Sequence, residues 1–469
     1  MGAHKDYHFD REALNEQFVF SAKAKRTIFI IIAIGVISSI IGLVMMATDS
    51  GHHGEAHAAI EMTGNELSSL QQELPENAPT SVGVVDGNEA VHTGDEGGHH
   101  AYHWTNRVKV NLWINVIFFI GLSVIGVFWV AIQYIAMAGW SAGFKRVPEA
   151  FASFLPVGLV LFLATFAWGY HEIFHWTDLA LYNDQSASYD GIIAGKSPFL
   201  NIPFFIGGSI AIIGGWFLFH FFTRKNSLAE DKATSPAQVR KHYKNMVKLS
   251  AGFVVFFGIT SSVAAWWWTL SIDTHWFSTM FGWYHFASWW VAGIAAITLT
   301  VVMLREAGYL KFINENHLHD LGKFVFAFSI FWTYVWFSQF LLIYYANIPE
   351  ETAYFVERLS SPIYRKYIFI IIFVNFIVPF FGLMTRNAKR KMTILKVICI
   401  AVIIGHWFDF YQMMTPGTLR ENGDYGFLEF GMPFIFVGVF AYLVGMSLSK
   451  APLVAKNHPL LEEAYNHET

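Results

Sequence analysis

The sequence predicts an all-α integral membrane protein of ten spanning helices, with both chain ends on the cytoplasmic side. Three observations carry that expectation. Of the 469 residues 54% are hydrophobic and 14% charged, where a soluble domain carries about 25% charge. Ten apolar runs come close to or exceed the ~20 residues a helix needs to cross the hydrocarbon, and in lipid an open chain satisfies its backbone only as helix. Lys and Arg are partitioned: alternate connections, counted with residue 1 inside, hold 24 of the 31. That is the bias expected of cytoplasmic segments.

The elements follow in order. Residues 1–26 form a polar cytoplasmic segment. The first span, 27–47, has spanning length, too long for the core of a cleaved signal peptide. A polar periplasmic loop covers 48–107. The helical membrane domain, 108–448, holds runs near 110–135, 149–170, 199–223, 248–271, 283–304, 322–346, 365–385, 392–413 and 427–448. A cytoplasmic tail, 449–469, closes the chain. A faint echo between AWWWTLSIDTHWFS and IIGHWFDFYQMMTP, at two outward-ending helices, suggests two four-helix bundles. Spans two to five and six to nine would form them, with the first and tenth peripheral.

The stretch 266–284, WWWTLSIDTHWFSTMFGWY, concentrates the chemistry. Ionisable groups near hydrocarbon are costly and mark function by default, and Trp and Tyr settle at the headgroup level. Under the topology above, the ionisable residues gather at outer helix ends: His171, Glu172 and His175 after the third span, Asp273 and His275 after the fifth, His285 in the sixth, His406 and Asp409 in the ninth, Glu429 in the tenth. His406 and Asp409, three apart, share a helix face, as do His171 and His175 at four apart. Imidazole titrates near neutral pH and burial tunes a carboxylate, so such a set suits proton transfer or a quinone pocket. The plain alternative is a set of interfacial polar residues satisfied by water. In the inner half, Thr260, Ser261, Ser329, Thr333, Tyr334, Ser338 and Gln339 are candidates for a hydrated path. Hydroxyls bonded to their own helices are the ordinary alternative.

Metal and haem chemistry have weaker signals. HEIFH at 171–175 fits the HExxH pattern of zinc proteases, without a third-ligand motif. The histidines of 48–107 suit weak metal binding or a flexible loop with no fixed site. His220 lies on the inner side and His285 and His406 on the outer, a poor arrangement for a bis-histidine haem. Cys399 is the one cysteine, so the chain carries no cysteine-ligated cluster and no covalent haem.

Three stretches together, SIDTHWFSTMFGWY at 271–284, FWTYVWFSQFLLIYYANIPEET at 331–352 and GHWFDFYQMMTPG at 405–417, resemble the ActF-type, NrfD-like (polysulfide-reductase-like) membrane subunits of bacterial alternative complex III. The likeness spans most of the ten-helix region and leaves out 48–107. It implies a quinol:cytochrome c oxidoreductase of the respiratory chain in the bacterial inner membrane. The implied partners are membrane lipid, a sister NrfD-like subunit, multihaem c-type cytochromes and an iron–sulfur subunit; nucleic acid is not among them. Haem c and iron–sulfur clusters would sit in those partners and none in this chain, while quinone or quinol is possible here. In that family the better-supported quinol site belongs to the sister subunit, and subunits of this type are assigned quinone binding by homology or proton conduction. Asp273, His275, His406 and Asp409 fall in the matching motifs; His171, Glu172 and His175 rest on the topology. An ion-coupled transporter and a membrane zinc protease are the alternatives.

Overall fold

The computed structural model describes residues 15–72, 103–311 and 313–468, with side chains left out of account over 49–72. The described residues are predominantly helical. Ten helices have spanning length and hydropathy: α1 Ala22–Thr48, α2 Thr105–Ile135, α3 Arg146–Ile173, α4 Ile202–Asp231, α5 Pro236–Ile272, α6 Met280–Glu306, α7 Glu315–Ala346, α8 Arg365–Gly382, α9 Met392–Asn422 and α10 Phe427–Leu448. Among the described residues the one β feature is an isolated bridge between Gln17 and Pro452.

Most of these spans outrun the apolar runs that predict them; α8 is shorter than its run and α10 matches it. Polar turns at either end stay helical in water and are stopped by specific caps. Asn201 accepts from the Phe204 amide at 2.9 Å ahead of α4. Ser235 caps α5 through the Gln238 amide, with Pro236 in the first turn where its missing N–H costs nothing. Asn314 accepts from the Asn316 and His317 amides at the start of α7. Two connections differ from expectation for this reason. The segment 224–248 is a helical hairpin made by the ends of α4 and α5, not a loop. The backbone after α1 stays helical to Gln72, so 48–107 is not loop throughout; the histidines at 92, 99 and 100 lie outside the described residues.

Contacts divide the helices as the sequence predicts. Helices α2 to α5 pack as one group, α6 to α9 as a second, and α2 meets α6 and α9 across the seam, while α1 pairs with α10 outside them. The α1–α10 pairing depends on small residues: a methyl added at Gly431 would stand 2.6 Å from the Gly35 carbonyl oxygen. Without a hydrophobic drive between helices in lipid, such close backbone approach is what holds spans together. The first bundle's core is aromatic. Trp113 donates to the Trp268 carbonyl at 2.9 Å and Trp268 to Ser209 at 2.9 Å, and the Trp216 ring sits edge-on to Trp268. The second bundle's core buries several polar side chains among its apolar ones, and these form the candidate site.

Both ends of the described chain lie on one face. The Leu453 amide donates to the Glu16 carbonyl, Asn457 bonds the Glu230, Asp231 and Ala233 carbonyls, and His467 meets Asp320 at 2.6 Å. The same face buries an ion network that sequence reasoning treats only as loop charge. Lys145 bonds Glu230 at 3.0 Å and Tyr134 at 2.7 Å, Arg146 bonds Asp231 at 2.6 Å, and Arg224 and Ser227 both donate to Glu149.

Candidate functional site

Asp409 lies on the inner-facing side of α9 and is fully buried. A carboxylate in that setting survives only if donors replace the water it loses. Three do. The Ser288 hydroxyl of α6 donates at 2.8 Å and the Trp332 indole N–H of α7 at 2.9 Å, while the Tyr284 hydroxyl of α6 completes the set. His406, one turn deeper on the same face, is also fully buried and shares Ser288 through its Nδ1 at 2.9 Å. Its Nδ1 lies 3.8 Å from the Asp409 carboxylate, with the Trp332 ring edge-on at 5.4 Å between centroids.

The fourth wall comes from a break in helical order. In α8, Phe373–Ile377 is a π-turn ahead of Pro379. Proline offers no N–H to the Asn375 carbonyl, and the widened turn projects Asn375 into the core, where its amide lies 3.5 Å from His406 Nδ1. Inserted π-turns of this kind collect at functional sites. The approach is possible because α9 carries Gly405: a methyl there would fall 2.0 Å from Asn375 Oδ1. Asn375 Oδ1 and His406 Nε2 are buried without a protein partner.

One layer further out, the helix Pro349–Ser360 bridges α7 and α8 and inserts Arg358 beneath the outer end of α9. The guanidinium is buried and fully engaged. It donates to Asp273 at 2.9 Å, to the Gln412 and Met413 carbonyls at 3.1 and 3.0 Å, and to the Tyr354 carbonyl at 3.0 Å. It also lies 3.4 Å over the Tyr354 ring, which stacks on Trp276 at 3.9 Å. Burial opposes the charge on Arg358, but Tyr354, Asp273 and Glu357 outweigh it and raise its pKa. Burial pushes the Glu357 carboxyl up despite Arg358 beside it. Since Met413 is one turn above Asp409, the two acids lie at the same end of the bundle in successive layers.

The other sequence-predicted residues fall around this pair. His285 is fully buried at the seam between the bundles, 3.1 Å from the Thr269 hydroxyl and packed on Trp289. Glu429 caps α10 and forms a two-point pair with Arg107 at 3.1 and 2.8 Å. His275 is half exposed and bonds Asp190 of the α3–α4 connection, away from Asp409. His171 is exposed beside Thr177, Glu172 pairs with Lys109 at 2.6 Å, and His175 is exposed. His171 and His175 do not share a helix face as the spacing predicts. Gly169 leaves helical geometry, α3 ends at Ile173, and Phe174 is extended, so HEIFH is not a helical zinc pattern here. Among the described residues no three His, Cys, Asp or Glu side chains are placed to hold a metal ion.

The inner-half residues do not form one path. Thr260 accepts from Trp216 and donates to the Phe256 carbonyl, and Ser261 faces Gly258, all within the first bundle. Thr333 bonds back to the Ser329 carbonyl and Tyr334 points outward, 65% exposed. Ser338 is half-buried. Ser329 Oγ and Gln339 Nε2 are buried without a partner in the second bundle.

Four participants have no sequence signature that would single them out: Ser288, Trp332, Asn375 and Arg358. The first three sit in apolar runs as ordinary membrane residues. Arg358 reads as an outer-loop cation, although its place in an amphipathic 12-residue helix is a usable signal.

A quinone ring needs an apolar slot with a donor at its edge. The Asp409 cluster does not fit one, since its members are buried and its carboxylate already accepts three bonds. A cleft of about 290 Å³ at the outer end of α5 fits better. Trp266, Trp276 and Phe277 wall it, and Lys196 and Thr274 supply polar edges. Burial lowers the Lys196 pKa, and its ammonium donates to the Thr274 carbonyl. No protein-family model matches the chain, and no curated protein matches it.

Proposed function

We propose that this chain is a membrane subunit of a quinol-oxidising respiratory assembly of the alternative complex III kind, which it anchors and for which it handles protons. The observation that carries the reading is Asp409: a carboxylate sunk in a helix bundle, supplied with three donors and set one turn from a buried imidazole. In this reading Asp409 and His406 hold and pass a proton, with Tyr284 and Ser288 as the hydroxyls that relay it outward and Asn375 orienting the imidazole. Arg358 fixes Asp273 as the charged outer rim. Quinol, where it meets this chain, lies in the Trp266–Trp276 cleft, and electrons pass to haem and iron–sulfur centres of partner subunits in the bacterial inner membrane. Quinol oxidation releases two protons per ring, and in this reading the acid–imidazole pair of the second bundle receives them.

The test is Asp409→Asn in the purified assembly. Quinol-dependent cytochrome c reduction, or the proton release coupled to it, falls while subunit content is unchanged. Full activity with full proton yield in that variant defeats the assignment.

One observation favours a second reading, an ion-coupled carrier. Carriers bind at helices broken within the membrane, and α8 is broken at Phe373–Ile377 beside the buried Asn375. That reading predicts transport by the purified chain alone in vesicles, which the subunit reading does not.

A further inference from the structure

The hairpin between α4 and α5 ends in charge that nothing among the described residues balances. Its only two acids over 224–248, Glu230 and Asp231, are consumed by Lys145 and Arg146. On the α5 side Arg240, Lys241, Lys244 and Lys248 are all exposed and make no ion pair among the described residues. Spacings of three and four put Lys241, Lys244 and Lys248 on one helix face, along a cleft of about 590 Å³ that also includes Arg240 and Asn245. Up the same face the stripe becomes apolar: Gly252 is exposed, then Val255 at 66% and Ile259 at 65%. The lysines therefore stand at the foot of a lipid-facing strip.

We propose that this stripe binds an anionic phospholipid of the leaflet on that face, its phosphate held by Lys241, Lys244 and Lys248 and its acyl chains lying along Gly252, Val255 and Ile259. The dimensions agree. Lys248 to Ile259 is eleven residues, about 16 Å of helix, close to the depth of one leaflet of a ~30 Å hydrocarbon core. Lysine stems can lie along apolar surface with their heads at the phosphate plane, and basic pockets between spans on the cytoplasmic side suit anionic headgroups. The missing side chain at Gly252 leaves room for an acyl chain beside the headgroup.

The purified full chain in detergent is titrated with dioleoyl-phosphatidylglycerol or dioleoyl-phosphatidylcholine, and bound lipid is counted by native mass spectrometry. Phosphatidylglycerol should be retained in preference to phosphatidylcholine. The triple variant K241Q/K244Q/K248Q should bind it about 100-fold more weakly, from about five-fold per cationic side chain. The charge-keeping variant K241R/K244R/K248R should bind it as the parent does and shows that the helix is intact. Lys450→Gln, an exposed cation elsewhere on the same face, should change nothing. Equal retention of the two lipids overturns the proposal, as does undiminished binding by the glutamine variant. Displacement of the lipid by millimolar inorganic phosphate also overturns it, since the stripe would then be an anion site without lipid specificity.

Discussion

Asp409 is the residue whose replacement says most. Truncation to alanine removes the acceptor of three donors, but they do not lose equally. Ser288 keeps His406 Nδ1 at 2.9 Å, whereas the Tyr284 hydroxyl and the Trp332 N–H are left buried and unpaired. At about 1–3 kcal/mol for each orphaned donor, Asp409→Ala costs roughly 2–6 kcal/mol, a large part of a typical stability of about 5–15 kcal/mol. Asp409→Asn keeps the shape and one acceptor oxygen, so it costs less, about 1–3 kcal/mol for the extra donor it brings among donors. The assay is thermal unfolding in detergent, followed by tryptophan fluorescence, for both variants, for Tyr284→Phe and for Tyr284→Phe with Asp409→Ala. Hydrogen bonds between membrane helices couple by about 0.6 kcal/mol on average, and a bond to a carboxylate should exceed that, at about 1.5 kcal/mol or more. Alanine at 409 as stable as the parent would refute the argument that these donors exist to satisfy a buried acid. So would a coupling near zero.

Three further outcomes follow from the geometry. Arg358→Lys cannot reproduce a planar group bonding Asp273 and three carbonyls at once, and breaking a buried pair costs about 3–5 kcal/mol. The helix Pro349–Ser360 should then come loose and be cut by protease, where the parent resists. Gly405→Ala forces Asn375 from the His406 side and should lower stability by about 1–3 kcal/mol, whereas Gly207→Ala, with nothing within 4 Å, should be close to neutral in the same melt. At Asp190, partial burial pushes the carboxyl up, but the Ile193 and Ile192 amides and His275 hold it below its ordinary 3.8. A depressed folded value means stability that is present at neutral pH and lost as pH falls through it. Asp190→Asn should therefore lower the melting temperature at pH 7 and leave it unchanged near pH 2.

The spans were legible because length and hydropathy are properties of a single run, and the lipid enforces both. The two-bundle grouping and the peripheral places of α1 and α10 were also within reach, the grouping because short connections make successive helices antiparallel neighbours; that α1 and α10 pack on each other was not. The ends were not, because a polar helical turn in water has no hydropathy signal; that is why 224–248 reads as a loop and folds as a hairpin. Within the site, His406 and Asp409 share a face by spacing alone, and the structure keeps them together. Their partners belong to α6, α7 and α8, and no periodicity in α9 says which residue of another helix will face it. Two kinds of misreading remain. HEIFH fails because a motif is a claim about continuous helix, and Phe174 within it is extended, so that the helix ends at Ile173 before His175. Arg358 was counted as loop charge, yet it neutralises an acid in the outer layer; Glu230 and Asp231 of the hairpin drew no reading from the sequence, and they pair with Lys145 and Arg146. Charge counted along a chain measures topology. Charge left over after pairing, as on the Lys241–Lys248 face, is what marks a surface open to a ligand.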